Sequence, residues 1–432
     1  MIAEFTIENF FSIRAKQSIS FEATSDTFMS DDYSYEVKPG VRLLKIGIIY
    51  GANASGKSNI LKAVEFFRLL VLRMAVDRNE STDVVPFLLD DESRNHHTNM
   101  SMTFYIESTK YVLSFELDQR RIYSESLFVY ESVRPTKLYS RSYDEETDSS
   151  VIVFGSNLKM PKKNKDVIIG NTINNSSVLA AFGKSNVEKT RLNKVYDYFA
   201  MQVKDVLAPR MLLSGYVKSR LDSDENGELK SFVIKLLKAS DFNIEDVSLH
   251  EEEELITPEL ESIIRNSPMP KEAKEEMLKR GKITNTELTF KHIAGSNLYE
   301  LSEEMESSGT IRFLGMLVIL NYVLKSNRIV PIDEVETSIH YELLSYFIRV
   351  FLKNSDHASQ LLLTSHDINL LNEDFIRRDT IWFTDKNQDG ETNLVRLSSL
   401  GLHKHLSPYN AYKQGKLVKL PLLGDVCLNI SE

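Results

Sequence analysis

A chain of 432 residues with 42% hydrophobic content can bury one large core or two moderate ones, which excludes a disordered tail. Its 62 acidic and 52 basic residues leave a formal charge of -10, which argues against a surface that grips nucleic acid all round and leaves only a local basic groove open. Cys427 is the only cysteine, so an intramolecular disulfide and a cysteine-rich metal site are both excluded.

In chain order, the opening MIAEFTIENF puts Glu4 and Glu8 where a secretory signal needs positive charge and then an apolar stretch. The longest apolar runs, such as FLGMLVIL at 313–320, are too short to span a bilayer, so a cytoplasmic protein without a membrane partner is expected. IAEFTIENF and QSISFEA alternate as strands do, and the near-continuous apolar LLKIGIIY suits a buried parallel strand. A glycine-rich stretch follows, and then apolar residues at 60, 61, 64, 67, 70 and 71 predict one face of a helix. Residues 99–131 read as antiparallel strands, and YDEETDSS as a polar turn. From 190 to 285 the pattern is charged and helical, with the acidic run HEEEEL and a proline-broken stretch, and lacks the heptads of a long coiled coil. From 286 strand and helix alternate again through ELTFKHI, a helix at 308–325, RIVPIDE, YELLSYFIRVFL and QLLLTSH, as a parallel α/β sheet requires. The expected division is therefore an N-terminal lobe at 1–189, a helical charged insertion at 190–285 and a C-terminal lobe at 286–432.

The stretch IIYGANASGKSNIL, residues 48–61, fits G-x-x-x-x-G-K-[ST], with Gly51, Gly56, Lys57 and Ser58 in the fixed places and a strand before and a helix after. The glycines let backbone N–H groups turn around phosphate, and the helix N-terminus directs its positive dipole end at the same anion. Lys57 is expected to reach the β and γ phosphates of ATP and the Ser58 hydroxyl to ligate Mg²⁺, with Asn53, Ser55 and Asn59 completing the binding stretch. A flexible Gly/Ser turn is the bland alternative, and the strand–loop–helix context weighs against it.

A phosphate loop needs an acidic partner, and RIVPIDEVETSIH supplies one. Asp333 ends an apolar strand where it can hold Mg²⁺, and Glu334 is placed to polarise an attacking water. Pro331 is an oddity that predicts local distortion, because proline removes a ladder donor. QLLLTSHD ends an apolar strand in His366, which a strand beside Asp333 delivers to the γ-phosphate side; packed or surface histidines are the common alternative. ESSGTIR puts Ser307, Ser308, Gly309 and Thr310 at the start of an apolar helix, where they either cap it or bind phosphate.

The set GANASGKSN, ESSGTIR, PIDEVETSIH and LLLTSHD, in this order, resembles the ABC-type ATPase heads of the SMC, RecF and OLD families, and more narrowly the stand-alone ATPases of abortive-infection systems, the AbiL-like group. IENFFSI, DTIWFTDKNQDGETNLVRLSSL and YNAYKQGKLVKLPLLGD resemble that group as well, so the likeness runs over most of the chain and is weakest at 190–285. It implies an α/β P-loop ATPase head, a mixed or parallel sheet with flanking helices plus an antiparallel β lobe, that dimerises around ATP. Ser308, Gly309 and Thr310 would then act in trans, Asp333 would hold Mg²⁺, Glu334 would be the general base and His366 the switch histidine. Three positions depart from the pattern: Pro331 replaces an aliphatic residue, Ile339 a leucine and Tyr341 a proline. The pattern does not locate the glutamine that often senses Mg²⁺ between the lobes; Gln119, which reads as part of a hairpin, is a poor candidate.

OLD proteins often append a TOPRIM nuclease, but the acidic residues after His366 are scattered, and TIWFTDKNQDGETNLVRL reads as a hairpin around Asp389-Gly390. HKH at 403–405 is read as solvated rather than as a metal pair. No intrinsic nuclease is expected. The first functional reading is a homodimeric or larger ATPase that controls a separate effector, a TOPRIM-type or other nuclease or a toxin, in anti-phage defence. A RecF-like DNA-repair ATPase and a nucleotide-gated scaffold with little turnover are the alternatives.

Overall fold

The computed structural model describes residues 1–240, 242–401 and 406–418. HKH at 403–405, Cys427 and the end of the 409–425 stretch lie outside the described residues. The strands are β1 (Ile2–Glu8), β2 (Gln17–Ser20), β3 (Ser34–Lys38), β4 (Val41–Leu44), β5 (Ile46–Tyr50), β6 (Thr98–Ile106), β7 (Thr109–Leu117), β8 (Ile122–Tyr130), β9 (Thr136–Asp144) and β10 (Ser149–Phe154). They continue with β11 (Ile244–Leu255), β12 (Lys282–Ala294), β13 (Asn297–Ser302), β14 (Ile329–Ile332), β15 (Gln360–Ser365), β16 (Ile381–Lys386) and β17 (Thr392–Arg396). The fold is mixed α/β with parallel and antiparallel sheets, as expected, and no helix among the described residues is long and apolar enough to cross a membrane.

The chain divides into two compact units. The first comprises residues 1–209, 323–337 and 348 onward, and holds a five-stranded sheet of order β14-β15-β5-β16-β17. β5 lies parallel to both neighbours and all five of its residues are buried, which explains its continuous apolar sequence. A seven-stranded antiparallel sheet of order β10-β9-β8-β7-β6-β1-β2 accompanies it. Gln360, fully buried at the start of β15, joins the two layers: its Oε1 accepts from the Ile2 N–H at 2.6 Å, and its Nε2 donates to the carbonyls of Ile2 and Leu44. The helix Lys57–Leu72 buries the predicted face, and Phe67 packs its ring 5.4 Å from Phe5 and 5.1 Å from Phe115.

Pro331 causes no break, because β14 is an edge strand on the ladder. Ile329, Pro331 and Asp333 turn their backbone groups outward, away from β15: the carbonyls of Ile329 and Pro331 accept from Lys204 and Leu207, and the Asp333 N–H donates back to Leu207. Proline thus removes a donor from the flank, not from the pairing with β15.

The second unit comprises residues 210–322 and 338–347. Its three-stranded antiparallel sheet has the order β11-β12-β13. The helical reading of 190–285 is corrected here, because HEEEEL lies within β11, paired residue by residue with β12 from His250↔Glu287 to Leu255↔Lys282. Glutamate favours helix locally, but the long ladder with β12 supplies backbone partners that local propensity cannot reveal. Helices do occupy other parts, including Glu228–Ala239, which buries Leu229, Val233, Leu236 and Leu237 at helical spacing. The boundaries also differ from those expected at 190 and 285. Residues 190–209 belong to the first unit, where Phe199 packs 5.8 Å from Phe67 and Val203 and Leu207 bridge to β14. Residues 286–322 belong to the second, because β12 cannot be separated from β11.

Among the buried ion pairs of the first unit, that of Arg377 with Asp379 ties the segment before β16 to the Thr24 loop. Arg377 and Asp379, each 1% exposed, form two hydrogen bonds of 2.9 and 2.6 Å, and Thr24 donates to Asp379 from both its N–H and its hydroxyl. Burial pushes the Asp379 carboxyl up, but the hydrogen bond and charge of Arg377 and the two Thr24 donors outweigh it and hold the carboxyl below its ordinary value of 3.8. Arg377→Ala leaves a buried carboxylate unpaired and is expected to cost about 3–5 kcal/mol of stability in urea unfolding. Since the folded value lies below the unfolded one, the stabilisation from Asp379 is complete above the unfolded carboxylate range and is lost as pH falls through the folded value. Parent stability should fall in acid below about pH 4, and Asp379→Asn should flatten that limb; an unchanged acid limb in the variant would refute the assignment.

Candidate active site

β14, β15 and β5 run parallel and end at one edge of the sheet, which is where ligands bind in open α/β sheets. Three sequence signals meet there: Asp333 and Glu334 follow β14, His366 follows β15, and the glycine-rich loop follows β5. The loop residues Asn53 to Asn59, with Glu334, His366 and Lys386, line an open cleft of about 430 Å³.

Both glycines are required by contact. A Cβ on Gly51 would lie 2.3 Å from the Thr384 hydroxyl and 2.5 Å from that of Ser55, and one on Gly56 would lie 2.1 Å from the Thr392 hydroxyl. Gly56 also has φ +102°, a backbone that L side chains rarely adopt. The loop is strapped from β16 and β17: Ser55 and Thr384 share a hydroxyl hydrogen bond at 2.6 Å, and Thr392 donates to the Ser55 carbonyl at 2.8 Å. Ser12 bonds Thr392 at 2.7 Å and accepts from Asn59 Nδ2 at 2.7 Å. The helix starts at Lys57; the Asn59 N–H is taken by the carbonyl of the preceding Gly56 at 3.0 Å, and the helix N-terminus, with the N–H groups of Lys57 and Ser58, faces the cleft, where an anion is favoured.

Lys57 is 5% exposed and donates to the carbonyls of Gly51 and Ala52 at 2.8 and 3.0 Å. Burial lowers its pKa, while the charges of Glu336, Glu334 and Asp333 act in the opposite direction. Its Nζ is also 3.1 Å from His366 Nδ1. An ammonium only donates, so Nδ1 is the acceptor and the ring proton sits on Nε2, 3.2 Å from Glu334 Oε1. Lys57, His366 and Glu334 therefore form one chain of hydrogen bonds across the cleft.

Ser58 donates to Asp333 Oδ1 at 3.0 Å, bringing together a hydroxyl and a carboxylate oxygen. This hard-oxygen pair fits Mg²⁺, which takes one or two protein oxygens and completes its octahedron with phosphate and water. Glu334 has φ +44°, a left-handed backbone uncommon for a non-glycine residue. The sequence reading missed several contributors. Thr364 bonds both Asp333 and the Glu334 N–H, Glu336 accepts the His366 N–H, and Lys386 lines the cleft. The only sequence signals for them were threonines interrupting the aliphatic strands QLLLTS and IWFTDK.

Ser308, Gly309 and Thr310 lie in the second unit, in the first turn of the helix Ser308–Leu324. Ser307 Oγ accepts the Thr310 N–H at 3.0 Å, so the cap is real. A Cβ on Gly309 would lie 2.7 Å from the Ser338 carbonyl oxygen, which explains a glycine there. Gln119 lies in the turn after β7, where its carbonyl accepts from the Thr82 N–H. Tyr341 opens the helix Tyr341–Asn354, a first-turn position where proline is equally at home.

No curated protein sequence matches this chain. Among solved structures, the SMC head domain from Thermotoga maritima is 11% identical over 91% of this chain and 98% of that one, with a TM-score of 0.40. An SMC head bound to the C-winged helix domain of ScpA is 13% identical over 92% and 99%, with a TM-score of 0.46. An SMC head with an extended coiled coil, bound to the C-terminal domain of ScpA derived from Pyrococcus furiosus, is 12% identical over 96% and 98%, with a TM-score of 0.37. A family profile described as "AAA domain, putative AbiEii toxin, Type IV TA system" matches residues 46–372. The match opens on the first residue of β5 and closes after His366, and the chain belongs to this AAA-domain ATPase family.

Proposed function

We propose that the chain binds and hydrolyses ATP at the β5 loop, dimerises around the nucleotide, and controls a separate effector in anti-phage defence. The observation that carries the chemistry is the meeting of Ser58 with Asp333 and of Glu334 with His366 beside the open cleft lined by the loop.

In this reading the loop N–H groups and Lys57 hold the β and γ phosphates, and Ser58 and Asp333 hold Mg²⁺. The bound metal supplies charge neutralisation on the phosphate oxygens. Glu334 takes the proton of the attacking water through its carboxylate, and His366, already bonded to that carboxylate, fixes its orientation. Ser308, Gly309 and Thr310 would present a capped helix start to the partner subunit's nucleotide. Support for an effector comes from the likeness to abortive-infection ATPases and from a family description that names a toxin of a toxin–antitoxin system. ATP-driven closure and opening would be the switch that the effector reads.

Lys57→Ala removes the side-chain cation of the loop and should weaken ATP binding roughly ten- to a hundredfold in calorimetry, the scale of a lost charge-assisted hydrogen bond. Unchanged affinity would remove the foundation of this reading. Glu334→Gln spares the metal ligand and deletes the base, so turnover should fall by roughly 10²- to 10⁴-fold while ATP accumulates in a dimer on size exclusion. Parent-rate hydrolysis by that variant means another group is the base. Purified from phage-challenged cells, Glu334→Gln should retain a nuclease or toxin that the parent protein releases; co-purification with DNA-repair proteins, indifferent to phage, would favour the RecF-like alternative.

A further inference from the structure

We infer that Thr364 is a positioning residue for the Asp333–Glu334 pair, and that ATP turnover depends on its hydroxyl. The inference rests on the ATPase reading above and adds a residue to it.

β15 is buried along its whole length, and its run Leu361-Leu362-Leu363 is aliphatic up to Thr364. Thr364 is fully buried, a place where an unbonded hydroxyl is costly and a valine of the same shape would pack. The hydroxyl acts as both donor and acceptor. It donates to Asp333 Oδ1 at 2.5 Å and accepts the Glu334 N–H at 2.8 Å. The Thr364 carbonyl accepts the next N–H, that of Val335, at 3.1 Å. One residue of β15 thus grips three successive residues beyond the end of β14.

Each contact bears on a separate part of the site. A carboxylate at a strand end can swing about two side-chain torsions, and Thr364 and Ser58 together fix the same Asp333 oxygen. Glu334 holds a left-handed φ of +44°, which persists in a non-glycine residue only when its surroundings impose it. The Thr364 hydroxyl accepts the N–H of that very residue, and the Glu334 carbonyl then receives the Thr337 N–H at 2.9 Å to close the turn. Removal of the hydroxyl leaves the Asp333 carboxylate held by Ser58 alone and loosens the backbone that aims the base, with the strand pairing left intact.

The test compares Thr364→Val, which keeps the shape and loses the hydroxyl, with Thr364→Ser, which keeps the hydroxyl. ATP turnover is measured by phosphate release, and binding of a fluorescent ATP analogue is measured with Mg²⁺ and with EDTA. The expected result for valine is a kcat lowered roughly ten- to a hundredfold, the scale of a lost hydrogen bond to a charged group. Its affinity in EDTA should match the parent, and the Mg²⁺-dependent gain in affinity should shrink. Serine should restore both. A purely structural threonine predicts the opposite pattern, with EDTA affinity and melting temperature falling together and serine no better than valine. Parent-level kcat in Thr364→Val, or failure of serine to rescue, overturns the inference while a hydrolysing parent leaves the ATPase reading standing. A parent that neither binds nor hydrolyses ATP overturns both. If valine does not fold, Thr364→Ala against Thr364→Ser gives the same comparison.

Discussion

The parallel register of β14, β15 and β5 is the constraint on which the site depends. Leu363 faces Ile332 on one side and Ile48 on the other, so the three strands finish within a residue or two of one another. The strand period is two residues, and a slip of one would turn Thr364 away from Asp333 and carry His366 off the loop. The register is held from outside by Gln360, whose amide saturates backbone groups of Ile2 and Leu44 at the start of β15. The strand that ends in Thr364 and Ser365 is thereby fastened at its start by a buried amide.

The charged side chains of the cleft are hydrogen-bonded to one another and to the loop. Lys57 is bonded to two loop carbonyls and to His366, which in turn is bonded to Glu334. In the proposed reading, phosphate binding would exchange internal hydrogen bonds for external ones, so the net gain would be far smaller than the gross strength of the new contacts. In that reading the protein gains order, because a buried lysine already bonded to two loop carbonyls stands where the phosphates would come to rest.

The parts of the site that were legible in the sequence are those whose meaning is local. Gly51, Gly56, Lys57 and Ser58 act within eight residues, and Asp333, Glu334 and His366 each end an apolar run that announces a strand. Thr364, Thr384, Thr392 and Ser12 were not legible, because each is an ordinary small polar residue until its partner, between 30 and 380 positions away, is known. The same reason accounts for HEEEEL. Four successive glutamates carry no strand signal, and only the pairing with β12 makes them one. Pro331 failed as a sign of distortion because composition cannot tell which flank of a strand its missing donor faces. The antiparallel strands and the hairpin at 381–396 were readable because alternation and an Asp-Gly turn are local properties.

The strapping of the phosphate loop by Thr384 and Thr392 ties the motif to chain synthesis. A ribosome that has released the first hundred residues has emitted every glycine of the loop, yet the hydroxyls that hold Ser55 are encoded more than 300 codons beyond the loop. Contacts of such sequence separation form late, once loop-closure entropy has been overcome. A nascent or broken chain therefore carries the loop motif without the hydrogen bonds from Thr384 and Thr392 that strap it. For a protein whose output is proposed to be harmful, this makes completion of the fold a condition of being armed.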